Sequence, residues 1–90
     1  MERSIITVVG HDAVGIIAKV CVYLAEKNIN ILDISQTIVS GYFNMMMIVD
    51  ISDSTADFDT VCRELEELGK GIGLVIKCQK EEIFDMMHRI

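Results

Sequence analysis

The run Val9-Gly10-His11-Asp12-Ala13-Val14-Gly15-Ile16 holds the residues best suited to chemistry in this chain. An apolar, β-branched stretch (Ile5, Ile6, Val8, Val9) precedes it, and an apolar stretch of helical character follows. The pattern predicts a strand-to-helix junction in which two glycines flank an acidic, capping-capable residue. The first turn of a helix carries backbone N–H groups without intrahelical partners. Those donors suit the carboxylate or phosphate of a small ligand. A structural explanation stands beside this one. Gly10 can serve a tight turn at positive φ, and Asp12 can cap the helix by accepting a first-turn N–H. Gly15 shifts the balance toward a ligand. Glycine in a first helical turn costs roughly 1 kcal/mol relative to alanine, and close approach of a ligand or a second backbone is one reason to accept that.

Other chemistries find less support. His11 and Asp12 are adjacent and offer two potential metal ligands, but His88 lies far along the chain and no spacing matches a zinc or iron site. No metal and no cofactor are expected. No Ser–His or Cys–His arrangement with an orienting group is evident, so no catalytic residue is assigned and the chain reads as non-enzymatic. Glu66-Glu67 reads as a solvated helix face, and Glu81-Glu82 as first-turn residues favoured by the helix dipole. Cys21, Cys62 and Cys78 are odd in number and form no C-x-x-C, which points to reduced thiols in a cytoplasmic protein.

The elements that must position the junction are legible from periodicity. Residues 3–9 read as a strand and 14–27 as a helix with Ile17, Val20, Cys21 and Leu24 on one face. Asn28 can close that helix in the left-handed conformation. Residues 29–40 read as a second strand, with Leu32, Ile34 and Ile38 sharing a face, and Gly41 as a turn. In residues 42–51, Phe43, Met45, Met47, Val49 and Ile51 alternate strictly and should face the helices. Ser54 and Asp57 resemble a capping box. A second helix then runs to about Leu68 with Phe58, Val61, Cys62, Leu65 and Leu68 as its buried stripe. Residues 74–78 read as a fourth strand, and 81–89 as a short third helix with Ile83, Phe84, Met87 and Ile90 apolar. The βαββαβ order with right-handed crossovers predicts an α+β, ferredoxin-like sandwich: a four-stranded antiparallel sheet, two helices on one face, and a short C-terminal helix. One domain spans 1–90, with its core at about 3–79.

Composition narrows the function. Ninety residues bury only around 60–65% of their unfolded surface, yet 51% are apolar and mean hydropathy is +0.41. That surplus predicts an apolar surface patch and a homo-oligomer, a dimer in the first instance. The net charge of −6 repels phosphate backbones, so nucleic acid is not an expected partner. No segment reaches the length of an apolar membrane span and no signal peptide is visible. The first loop holds neither the C-x-x-C of a copper chaperone nor the arginine of an acylphosphatase-like enzyme. Gly41-Tyr42-Phe43 begins like an RNA-recognition strand, but Asn44-Met45-Met46-Met47 abandons that pattern.

Gly10-His11-Asp12-Ala13-Val14-Gly15-Ile16 after an apolar strand, followed by Asn28-Ile29-Asn30-Ile31-Leu32-Asp33-Ile34, resembles the ACT domain. The resemblance covers about residues 3–79. It is strongest to small stand-alone ACT proteins and to the ACT segments of glycine-cleavage repressors and formyltetrahydrofolate deformylases. It implies a regulatory module for an amino acid or related metabolite, associating through sheets or edge strands, with effectors at subunit interfaces. Carried onto this chain, the ligand-binding positions are Gly10, His11, Asp12, Ala13, Val14, Gly15 and Ile16 of one copy and Asn30, Ile31, Leu32 and Asp33 of a neighbour. Amides near Val14–Ile16 would receive a carboxylate, and Asn30 or Asp33 an ammonium group. No catalytic domain is fused on either side, so the module is expected to act in trans on a regulated protein partner. The alternative is a protein–protein interaction or dimerisation domain without a small ligand.

Overall fold

The computed structural model describes residues 2–11 and 15–81. Asp12, Ala13 and Val14, and all of the expected third helix beyond Glu81, lie outside the described residues. The element order is β1 (Arg3–Gly10), α1 (Ile16–Glu26), β2 (Asn30–Val39), β3 (Tyr42–Asp50), α2 (Phe58–Gly71) and β4 (Val75–Lys80). The strands form one four-stranded sheet in the order β2-β3-β1-β4, antiparallel at every pairing. This is the ferredoxin-like sandwich that the sequence predicts.

Alternation in β3 builds the core. Phe43, Met45, Met47 and Val49 are buried, and Ile51 follows them inward. Ile6 and Val8 of β1 and Ile76 of β4 join the same face, against Ile16, Val20 and Leu24 of α1 and Val61 and Leu65 of α2. Ile17, Cys21, Phe58 and Leu68 pack against this cluster from partly buried positions. The helices are joined across their outer side, where the Tyr23 hydroxyl donates to Glu64 Oε1 at 2.7 Å and Lys27 Nζ approaches the same oxygen at 3.7 Å.

Turn chemistry follows the residues. Asn28 takes φ 59° just past α1. Ser40 and Gly41 both have positive φ, the combination whose twist suits a two-residue hairpin. Two glycines admit close packing instead. A Cβ on Gly69 would stand 2.9 Å from Ile76 Cγ1 and 3.0 Å from the Leu74 carbonyl oxygen, so its absence lets α2 settle on β4. A Cβ on Gly10 would collide with Leu74 Cδ2. Gly10 is thus explained by contact with Leu74, because it is not among the positive-φ glycines.

Several local expectations shift. The α2 cap is Asp57, whose Oδ1 accepts from the Thr60 N–H at 2.8 Å, whereas Ser54 Oγ bonds within its own turn to Ala56. α2 also runs on to Gly71, three residues past the expected end at Leu68. In β2 the pairing steps from Ile31↔Val49 to Asp33↔Ile48, leaving Leu32 as the extra residue of a bulge. Ile31, Ile34 and Ile38 therefore align with the core face of β3, and Leu32 drops out of that set. None of the three is covered by a helix: all ten residues of β2 are exposed.

Candidate functional site

The junction is built from the ends of β1 and α1. Gly10 ends β1, opposite Phe43 of β3. His11 follows at an exposed bend, and its ring lies against that of Tyr42, with centroids 4.2 Å apart and planes tilted by 38°. Tyr42 is a neighbour of the junction that periodicity did not single out; its only signal in the sequence is its place directly after the hairpin glycine. Gly15 is the N-cap of α1, in the left-handed region at φ 76°. A Cβ there would meet nothing within 4 Å among the described residues.

α1 starts at Ile16, two residues later than the pattern predicts, and its N-cap, Gly15, has no side chain to cap it, while Asp12, the expected cap, lies outside the described residues. The first intrahelical bond is Lys19 N–H to the Gly15 carbonyl at 3.0 Å. The amides of Ile16, Ile17 and Ala18 precede it and belong to the turn whose donors have no partner within a helix. The first turn of α1 holds no acidic residue either, so no carboxylate of that turn offsets the positive end of the dipole. The Ile16 side chain itself points into the core, at 4% exposure; only its backbone is available to a ligand.

The second half of the expected site lies elsewhere. Asn30, Ile31 and Asp33 pair with Asp50, Val49 and Ile48, and Leu32 bulges between them. Gly10 pairs with Phe43. Five to seven residues of β3 separate the two groups, which is roughly 20 Å at about 3.4 Å per residue. Within one copy the two halves stand at opposite ends of the sheet. Asp33 is exposed, and its Oδ1 accepts from the Ile34 N–H at 2.8 Å. Among the described residues, no group of three or more His, Cys, Asp or Glu is placed to hold a metal ion, and no helix is long and apolar enough to cross a membrane.

A family model described as ACT domain matches residues 2–79. The chain belongs to the ACT domain family. It is 61% identical to a UPF0237 protein of Bifidobacterium longum over 90 residues, the full length of both. An ACT domain protein from Streptococcus pneumoniae superposes with a TM-score of 0.82 at 43% identity, covering 93% of this chain and 94% of that one. A formyltetrahydrofolate deformylase from Pseudomonas syringae shares the fold, with a TM-score of 0.80 at 23% identity over 89% of this chain and 28% of its own. ACT domains are in general regulatory, ligand-binding modules rather than catalytic ones. In this ACT domain the strand-to-helix junction brings together, at one end of the sheet, a left-handed glycine at position 15, the first-turn amides of α1 and the His11–Tyr42 ring contact.

Proposed function

We propose that this ACT domain is a cytoplasmic regulatory module that binds an amino acid or related small metabolite between two copies of itself, and acts in trans on a protein partner. One observation carries the reading. The two groups of residues that would hold such a ligand are about 20 Å apart in one copy, while β2, which bears one of them, is a fully exposed edge strand. An unpaired, largely apolar edge is a template for another strand. Two β2 edges pairing antiparallel about a two-fold axis would set the start of one β2 beside the end of the other. The end of β2 is where Ile38 and Val39 pair with Phe43 and Tyr42, next to Gly10 and His11. Asn30 and Asp33 of one copy then approach the α1 amides of the other. An anion site and a cation site come within reach of one small zwitterion, and His11 on Tyr42 would supply a wall between them.

The same pairing would cover Ile34 and Ile38, which are 39% and 74% exposed. The three free cysteines are consistent with a reducing compartment. The test is a thermal-shift screen of amino acids with sedimentation of the parent chain and of Ile38→Lys. Ile38 is so exposed that lysine leaves the single copy's fold intact. The expected result is a dimer whose melting temperature rises with one class of amino acid, and a monomeric variant that has lost the response. A monomeric Ile38→Lys that binds the same ligand as tightly would overturn the shared site. A dimer that answers to no metabolite would transfer the reading to a protein-interaction domain.

A further inference from the structure

A helix on the outside of a small protein ordinarily carries polar residues along its outer face. α2 does so: Asp59, Arg63, Glu66, Glu67 and Lys70 are all exposed. α1 does not. Its buried stripe is Ile16, Val20 and Leu24, yet its outer face carries Ala18, Val22 and Ala25 at the i, i+4, i+7 spacing of one seam. All three are exposed, Val22 at 57%. Lys19 and Glu26 are the only charged residues in the helix. A helix that is apolar on both sides is characteristic of an interior, so the outer side of α1 is a face without its cover.

The shape and charge of that side determine what fits. Beside Val22 an open groove of about 360 Å³ lies between the helices, with Ala18 and Tyr23 of α1 and Leu68 of α2 among its walls. The Tyr23 hydroxyl is already committed to Glu64, so the groove suits an apolar knob, and Val22 is such a knob. Lys19 stands three residues before Val22 and Glu26 four after it. Neither is in an ion pair among the described residues. In two α1 helices packed antiparallel about a two-fold axis at Val22, Lys19 of each copy falls beside Glu26 of the other. The difference of one residue in offset is about 1.5 Å, within reach of these long side chains. The face is therefore complementary to itself, as an isologous contact requires.

We propose that the outer face of α1 docks on the same face of a second copy, with each Val22 in the other's groove and two Lys19–Glu26 pairs across the seam. A single helix crossing is a small contact, below the area that holds a stable dimer. Its strength rests on the β2-edge dimer proposed above. Strands that pair antiparallel about a two-fold axis keep the helices of both copies on one side of the joined sheet, so that dimer presents two α1 faces together. Two dimers meeting through both faces make two contacts, the second at high effective concentration. The product is a tetramer with its helices inside and a sheet on each outer side.

Sedimentation equilibrium of the full chain over a hundredfold concentration range tests this. The expected result is a mass that climbs from the dimer toward twice that value, while Val22→Lys, a change at an exposed position, stays at the dimer. Lys19→Glu and Glu26→Lys should each stop at the dimer as well, and the double variant Lys19→Glu/Glu26→Lys should recover the tetramer. A parent chain that stays at the dimer throughout would overturn the α1 contact and leave the β2 edge standing. A double variant that fails to recover would overturn the second copy as the occupant. An Ile38→Lys chain that remains dimeric, and becomes monomeric when Val22→Lys is added, would uphold the α1 contact and overturn the β2 edge instead.

Discussion

Single atoms decide what the junction can hold. Gly15 has left-handed backbone, and among the described residues nothing stands where its side chain would go. Aspartate tolerates that conformation better than most residues, so Gly15→Asp should still fold. Its carboxylate would take the α1 amides for itself and occupy the anion site. Calorimetry should then show affinity for the cognate amino acid falling at least tenfold, about 1.4 kcal/mol; unchanged affinity would remove those amides from the site. Gly69 is the opposite case, with no room at all. Gly69→Ala must push Ile76 or the Leu74 carbonyl aside, and overpacking of this kind costs about 1–3 kcal/mol, readable as a drop in urea midpoint. Ser4 gives a prediction of the other sign. Its hydroxyl is buried without a hydrogen-bond partner among the described residues. Removing an unsatisfied buried polar atom relieves a desolvation penalty. Ser4→Ala should therefore hold or raise the melting temperature, and a clear fall would mean the hydroxyl has a partner.

Among the elements, the helices depend on carboxylates at their ends and seams. The Thr60 N–H bond holds the Asp57 carboxyl below its usual range. The Tyr23 hydroxyl does the same for Glu64, and Ser52 for Asp50. The unfolded chain binds protons at these groups first, at about pH 4. Their contribution is present above that pH and is lost as pH falls further. At the alkaline end, burial and the Glu64 partner raise Tyr23, and burial raises Cys62 and Cys78. The unfolded thiols and phenol ionise before the folded ones, so stability should fall again above about pH 9. Urea midpoints against pH should trace a plateau between these limbs, and Asp57→Asn should flatten the acid one. A pH-independent midpoint would show that none of these partners matters.

Much of this element-scale order is legible in the sequence, because alternation in β3 and helical spacing in α2 record which side chains lose water. Three points are not. The β2 bulge depends on pairing with β3, which no local pattern encodes. The α2 cap falls on Asp57 rather than Ser54 because both can accept from a helix and only the tertiary path of the turn chooses. Gly10 owes its place to Leu74, distant in sequence. The site shows the same division. The junction's chemistry can be read locally, whereas the separation of its two halves and the His11–Tyr42 contact arise only when the sheet assembles.

For the molecule as a whole, the proposed dimer would make stability and assembly one equilibrium. A dimer held by β2 edges has a melting temperature that rises with protein concentration, and a ligand bound across the seam raises it further by mass action. Differential scanning calorimetry over a hundredfold concentration range should show that upward drift for the parent chain and none for Ile38→Lys. A parent chain that melts at one temperature throughout would leave β2 as a solitary edge.

The bulge at Leu32 sets the limits of that edge. Because one residue of β2 lacks an opposite number on β3, the strand bends there and its hydrogen-bonding rhythm breaks. Without Leu32 the β2–β3 ladder would run unbroken from Asn30 to Val39 and present a longer, straighter edge. In the proposed dimer the regular stretch Asp33–Val39 is the part of the edge offered for strand pairing, and the bend at Leu32 marks where that stretch begins.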